Sequence, residues 1–358
     1  MTISLNSPIA PDLEKLTNYL KQVNESGWYT NFGPLHQQLT ERLEEYLGVE
    51  NLLLVSNGTL ALQVAYKTLG IKSAITSPFS FVATTSSLLW QGIDTQFCDI
   101  DNYSYNLSVS KVEEALNQTP DVNGVVATHV YGNPCDVEGF DKLASKHNIK
   151  VVYDAAHAFG IKVDGKSVLN FGDASILSFH ATKVFHTVEG GAIVFKRKAD
   201  YEKAKQLINF AIVNGEITDV GINAKLNEYQ CAVGLTILDD IDHILSHRAE
   251  LFSLYQDNLT GLVDLPQWHS LANTNGAYLP ICLNSTEELA AVAAELSESG
   301  IQYRPYFKPS LDSVFPQVRH GNLEVSRDIS RRVLCLPLHF NLTREDVLKV
   351  TSTVKKGL

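Results

Sequence analysis

The chain has 358 residues, a formal net charge of −11 and 44% hydrophobic residues, enough apolar material to bury a large core in two or three folding units. No run reaches the roughly 18 uninterrupted apolar residues of a membrane span, and the opening MTISLNSPIAPDLEKL lacks the basic and apolar regions of a secretion signal, so a cytoplasmic protein is expected. The acidic balance and the lack of any Lys/Arg cluster argue against a nucleic-acid partner, and five scattered cysteines without metal-ligand spacing read as reduced, mostly buried thiols, with no metal expected.

In chain order, short apolar runs alternate with helix-length segments, without internal repeats or low-complexity tracts. Strands are predicted over 52–56, 74–77, 95–98, 124–128, 150–153, 174–179 and 191–195. Such a series describes an open, seven-stranded, mostly parallel α/β sheet flanked by helices. An amphipathic helix is predicted over 223–238. A smaller C-terminal α+β unit follows, with a strand at 277–283, a helix at 286–299 and a terminal helix at 343–354. The expected division is 1–244 for the large unit, including the N-terminal segment, and 245–358 for the small one.

Chemistry gathers where the predicted strands end. Asp154 closes the apolar run KVVYD, at the place where open α/β sheets present ligand-binding groups. Taken alone, an Asp there caps the next helix as readily as it binds a ligand. Lys183 follows the buried run ASILSF within a few residues, ahead of Glu189-Gly190-Gly191, whose glycines permit close backbone approach. The separation, 183 − 154 = 29 residues, is about one strand–helix–strand excursion, so both groups can reach one sheet edge. Together they suggest an electron-sink cofactor, with the lysine bonded to an aldehyde and the carboxylate keeping a pyridine nitrogen protonated. Gly58 and Thr59 close the first strand and open a helix, a place suited to an anion, although Ser and Thr cap many helices that bind nothing.

The segments SNGTLAL, SPFSFVATTSSL, DAAHAFG, SFHATKVFHTVEGGAIVF and GINAKLNEYQCAVGL, in that order, resemble the sugar aminotransferases of the DegT/DnrJ/EryC1/StrS family. The likeness runs from about Gly27 to Leu238, with looser similarity around YRPYF and CLPLHF. It implies a fold-type-I aminotransferase with pyridoxal 5'-phosphate on Lys183 and Asp154 at the ring nitrogen. It further implies Phe81 stacked on the ring, His157 at the phenolic oxygen, and Gly58, Thr59 and Ser178 at the phosphate. Asn223 would reach the phosphate of the neighbouring subunit's cofactor, which implies a homodimer with active sites at the interface. Lys225 departs from the family, where many members carry Arg; this touches the dimer-side motif and not the chemistry.

The resemblance also implies the reaction: an amino group passes from an amino acid, L-glutamate, to a nucleotide-linked keto sugar. His180, three residues before the lysine, resembles members that aminate C4. The stretch from Trp28 to Leu62 resembles members that form dTDP-4-amino-4,6-dideoxyglucose, which implies dTDP-4-keto-6-deoxyglucose as acceptor. Arg304 and Lys308 are candidates for the diphosphate, though exposed loop charges read almost as well; His186 and Tyr306 are candidates for the sugar site. Besides other fold-type-I enzymes such as desulfurases and aldolases, which share the Asp and Lys but lack the sugar-family segments, three alternatives stand beside this reading. One is amination of a 3-keto sugar. Another is a dehydratase of the same fold, which carries His in place of the lysine and against which Lys183 argues. The third is a binding module that has kept the fold without the cofactor.

Overall fold

The computed structural model describes residues 2–358. Its centre is an eight-stranded sheet that runs, edge to edge, Leu52–Val55, Gly191–Phe195, Ala174–Ser178, Lys150–Asp154, Gly124–Thr128, Ser73–Thr76, Asp94–Phe97 and Arg319–His320. Gly191–Phe195 is antiparallel to both neighbours, and the remaining pairings are parallel. Alternate side chains of each strand serve opposite faces, as the two-residue strand period requires. Thus Leu52, Leu54, Val125, Val151 and Tyr153 join one apolar cluster with the helices Pro34–Leu47 and Glu228–Leu238. Leu53, Val55, Val126 and Val152 join a second with the helix Gly58–Leu69. Helices on both faces explain why the strands read as continuous apolar runs.

The seven predicted strands are present within a residue or two, and the eighth, Arg319–His320, comes from the C-terminal part of the chain. The helix predicted over 223–238 begins later, at Glu228, with Asn227 capping the Gln230 amide at 3.0 Å. Residues 223–226 are extended because their backbone is taken by neighbours. Ala224 accepts from the Ser56 amide at 2.8 Å and donates to Ile208 at 3.1 Å, while Lys225 bridges Val55.

A third cluster, around Leu279, Ile281, Leu334, Leu336, Val347, Val350 and Val354, sits on the antiparallel pair Leu279–Cys282 and Val333–Leu336. No linker separates it from the large unit at 244/245. The helix Ile241–Leu259 runs through that point, with Ile241 and Ile244 in the first cluster and Leu251, Phe252, Tyr255 and Leu259 in the third. Ile3, expected with the large unit, also packs in the third cluster, where its amide donates to Gly300 at 3.0 Å.

A further tie joins the two parts. Asp99, just past the strand Asp94–Phe97, is buried and accepts the amides of Val325 (2.9 Å) and Ser326 (2.8 Å), in the first turn of the helix Glu324–Arg332. Those two amides have no intrahelical acceptor, so the carboxylate is their cap. Asp99→Ala is expected to lower the unfolding free energy by about 2 kcal/mol. The check is a lower urea midpoint at unchanged slope.

Candidate active site

Because the parallel strands share a direction, Thr128, Asp154 and Ser178 all stand at the carboxyl edge of the sheet, where a cavity of about 690 Å³ opens. Asn57, Gly58, Thr59 and Phe81 form part of its wall, and His180, Thr182, Lys183 and Glu189 enter from the excursion after Ser178. Tyr278, Arg304, Tyr306, Phe307 and Lys308 close it from the C-terminal part, and Asn6 from the N-terminal segment.

Asp154 is 5% exposed. The Thr84 hydroxyl donates to Oδ2 at 2.7 Å and the Ala156 amide to Oδ1 at 3.1 Å. Burial raises the carboxyl above its ordinary range, opposed by those two donors and by the Lys183 charge. Among the described residues no cationic side chain forms an ion pair with it, so the carboxylate is prepared for a cation that the chain does not supply.

Across the cavity, the helix Gly58–Leu69 points its N-terminus inward, capped by Asn57, whose side chain accepts the Leu60 amide at 2.8 Å. The Gly58 and Thr59 amides at the start of that helix precede the first intrahelical acceptor and face the cavity with the positive end of the dipole. Close packing makes the cradle: a β-carbon on Gly58 would lie 2.9 Å from Ser178 Cβ, and one on Gly191 would lie 2.8 Å from the Asn57 carbonyl carbon. Phe81 precedes the helix Val82–Trp90 and is 52% exposed, with its ring in the cavity wall.

Lys183 rides on an excursion pinned shut at its base, where the Phe179 amide donates to the Gly190 carbonyl at 2.8 Å and Ala181 donates to Val188 at 2.8 Å. The amine is half-buried and lies 3.4 Å from the Tyr278 hydroxyl. His157 accepts the Tyr131 amide at Nδ1, 3.2 Å away, which puts the proton of the neutral ring on Nε2. Burial, with the Lys183 charge, holds its pKa well below the usual imidazole value, so it is a neutral donor. His180 is exposed, 3.7 Å from Glu189, and the Arg304 guanidinium lies 5.5 Å over the Tyr306 ring.

Of the residues expected at the site, two stand outside this cavity. His186 is buried with its ring engaged elsewhere: Nε2 lies 2.8 Å from the Ile9 carbonyl, and Nδ1 accepts the Val188 amide at 3.2 Å. It fastens the N-terminal segment to the lysine excursion and is not among the residues that line this cavity. Asn223 is exposed, in a single bridge with Asn209, and does not face its own chain's cavity. Sequence reasoning missed Thr84, Thr128, Tyr278 and Asn6. Thr84 lies inside a quoted motif and Tyr278 at the head of a predicted strand, so both were in view, but nothing in their spacing marks a side chain directed at the site.

A buried carboxylate, an amine and an anion cradle around one cavity fit a single ligand that carries a ring cation, an aldehyde and a phosphate, which is pyridoxal phosphate. The buried Thr128 hydroxyl, in the wall and without a partner among the described residues, leaves a further polar contact for it. Comparison with known proteins bears on the same point. The DegT/DnrJ/EryC1/StrS aminotransferase family matches residues 12–355. A dTDP-4-amino-4,6-dideoxy-D-glucose transaminase of Shigella dysenteriae is 39% identical over 365 residues, covering 99% of this chain and 98% of its own. A protein of the same description from Escherichia coli is 35% identical over 363 residues, covering 98% and 97%. Among solved structures, DesI in the presence of its TDP-sugar product matches with a TM-score of 0.93 at 29% identity, over 99% of this chain and 92% of that one.

Asp154 must be ionised to hold a protonated ring nitrogen, and its raised pKa means that it takes up a proton early as pH falls. Thr84→Val removes a donor that opposes this rise. Bound pyridoxal phosphate should then be retained about tenfold less well, and its loss on the acid side should begin at higher pH than in the unaltered protein. Titrating the visible absorbance of the bound cofactor measures both.

Proposed function

This chain belongs to the DegT/DnrJ/EryC1/StrS aminotransferase family, and from that premise we propose that it moves an amino group from L-glutamate to C4 of dTDP-4-keto-6-deoxy-D-glucose, giving dTDP-4-amino-4,6-dideoxy-D-glucose. It is a pyridoxal-phosphate-dependent transaminase. The observation that carries the chemistry is the convergence of Asp154, Lys183 and the Gly58–Thr59 amides on one cavity. The choice of sugar is supported by the two transaminases at 39% and 35% identity over nearly the full chain.

Pyridoxal phosphate, when bound, supplies an electron sink for the bond at the donor α-carbon. Asp154 would keep its ring nitrogen protonated, and removal of such a preorganised charge costs several kcal/mol of transition-state stabilisation. The amides of Gly58 and Thr59, with the Ser178 hydroxyl, would hold the phosphate. Phe81 would lie on the ring face, and His157 Nε2–H would donate to the ring oxygen. Lys183 would hold the aldehyde carbon until an amino donor displaces it. Its free Nζ is then the base that takes the proton from the donor α-carbon. On the acceptor side, the exposed cations Arg304 and Lys308 would hold the diphosphate at the rim, with Tyr306 and His180 beside the sugar.

The working unit in this reading is a homodimer. Trp28 (50% exposed), Tyr29 (49%), Phe210 (48%), Val220 (79%) and Tyr229 (47%) are exposed large apolar side chains that a partner subunit would cover. Tyr29 stacks on Tyr229 and Lys225 lies 5.3 Å over Phe210; the exposed Asn223, two residues before Lys225, would reach a partner's phosphate site. No described helix is long and apolar enough to cross a membrane. All five cysteines are free and buried, which supports a reducing cytoplasmic setting.

Incubation with L-glutamate, pyridoxal phosphate and a panel of 4-keto and 3-keto nucleotide sugars should give an amine at C4 of the dTDP-4-keto-6-deoxy sugar. Amination of a 3-keto sugar alone would overturn the position assigned. Lys183→Ala should abolish turnover and the absorbance of covalently held cofactor, with an unchanged far-ultraviolet circular dichroism spectrum.

A further inference from the structure

We infer that Tyr278 is a positioning residue for proton transfer: its oxygen accepts an N–H of Lys183 and so aims the free amine at the donor α-carbon. This rests on the role of Lys183 proposed above. A lysine released from its covalent bond swings on a four-carbon stem with about 2 kcal/mol of rotamer entropy, and a base must be held within hydrogen-bond reach of the proton that it takes. Among the described residues, the Lys183 amine has one hydrogen-bond partner, the Tyr278 hydroxyl at 3.4 Å. The bond runs from the N–H to the phenol oxygen, which leaves the nitrogen lone pair free for the incoming proton. Nζ keeps an N–H for Tyr278 both before and after that proton arrives, so the anchor persists through the transfer and the phenol neither gains nor loses a proton.

Tyr278 is itself held by a built support. Asn275, 1% exposed, donates to the carbonyls of His157 and Phe159, both at 2.9 Å, and accepts the Ala277 amide at 2.9 Å. It thereby joins the segment that carries Tyr278 to the loop that follows Asp154. From the other side Arg248, 4% exposed, donates to Gly276 at 2.8 Å and 3.1 Å, to Ala277 at 3.3 Å and to Leu338 at 3.0 Å. Gly276 has φ +57 and a β-carbon there would lie 2.6 Å from the Arg248 carbonyl oxygen, so the turn accepts no other residue without shifting. The Tyr278 ring also lies 4.5 Å from the His157 ring, which fixes its lateral position. The half-buried Tyr278 ring also packs against the apolar cluster of Phe79, Tyr131 and Phe307, while its hydroxyl meets the Lys183 amine.

The test is Tyr278→Phe, which removes one oxygen and leaves the ring packing. On pyridoxal-phosphate-loaded dimer, kcat with L-glutamate and the keto sugar should fall about 10- to 100-fold, with KM for the sugar and the cofactor dissociation constant within about twofold of the unaltered protein. The deuterium isotope effect from glutamate labelled at the α-carbon should rise, because proton transfer becomes more nearly rate-limiting. A merely structural role would weaken cofactor binding and leave the isotope effect where it was, and that result overturns the inference. So does a wild-type kcat and isotope effect in Tyr278→Phe beside an inactive Lys183→Ala. An active Lys183→Ala would instead bring down the reading of Lys183 itself, and this inference with it.

Discussion

Asp154 carries its carboxylate into a wall where 5% of the residue meets solvent, and its hydrogen-bond partners, Thr84 and Ala156, are neutral. Burial of a charge without a counter-ion is costly, and proteins retain such an arrangement where something else completes it. The opposite half of the cavity mirrors it, with helix-terminal amides at Gly58 and Thr59 that present the positive end of the helix dipole. The site is therefore organised as two fixed and opposite electrostatic ends with a reactive amine between them. These ends need no rearrangement when a ligand with the matching polarity arrives, which is how preorganised sites stabilise charge that develops during a reaction.

Much of this was legible in the sequence because the relevant groups sit where regular structure stops. Asp154 ends a strand, Ser178 ends the next, and Gly58 starts a helix, so apolar runs and their boundaries located them. What could not be read was anything that depends on distant chain crossing over. Tyr278 meets Lys183 across 95 residues, and Thr84 meets Asp154 across 70. The amphipathic spacing at 223–226 also misled, since helical periodicity says nothing about whether a neighbouring strand will claim the backbone first. His186 shows the same limit from the other side. It was a candidate for the sugar site, yet the N-terminal segment, crossing from far away, takes its ring.

The C-terminal part is more than a lid on the cavity. It donates a strand to the edge of the main sheet, accepts a helix cap from Asp99, and sends Tyr278 into the wall beside His157, with Asn275 buried behind it on the His157 carbonyl. The cavity wall is in this sense assembled from the N-terminal segment, the main-sheet part and the C-terminal part of the chain, and no one of them contains a complete site.

The helix Ile241–Leu259, rooted in two apolar clusters at once, has consequences for how the molecule moves and unfolds. A rigid rod through both cores leaves no flexible joint at the place where one would swing against the other, so passage into the cavity falls to rim segments such as 304–308. For the same reason heating should produce one cooperative melting step per subunit. A fragment that begins at residue 245 would lack both the first turn of that rod and the packing of Ile3, and would have no route to a folded state of its own.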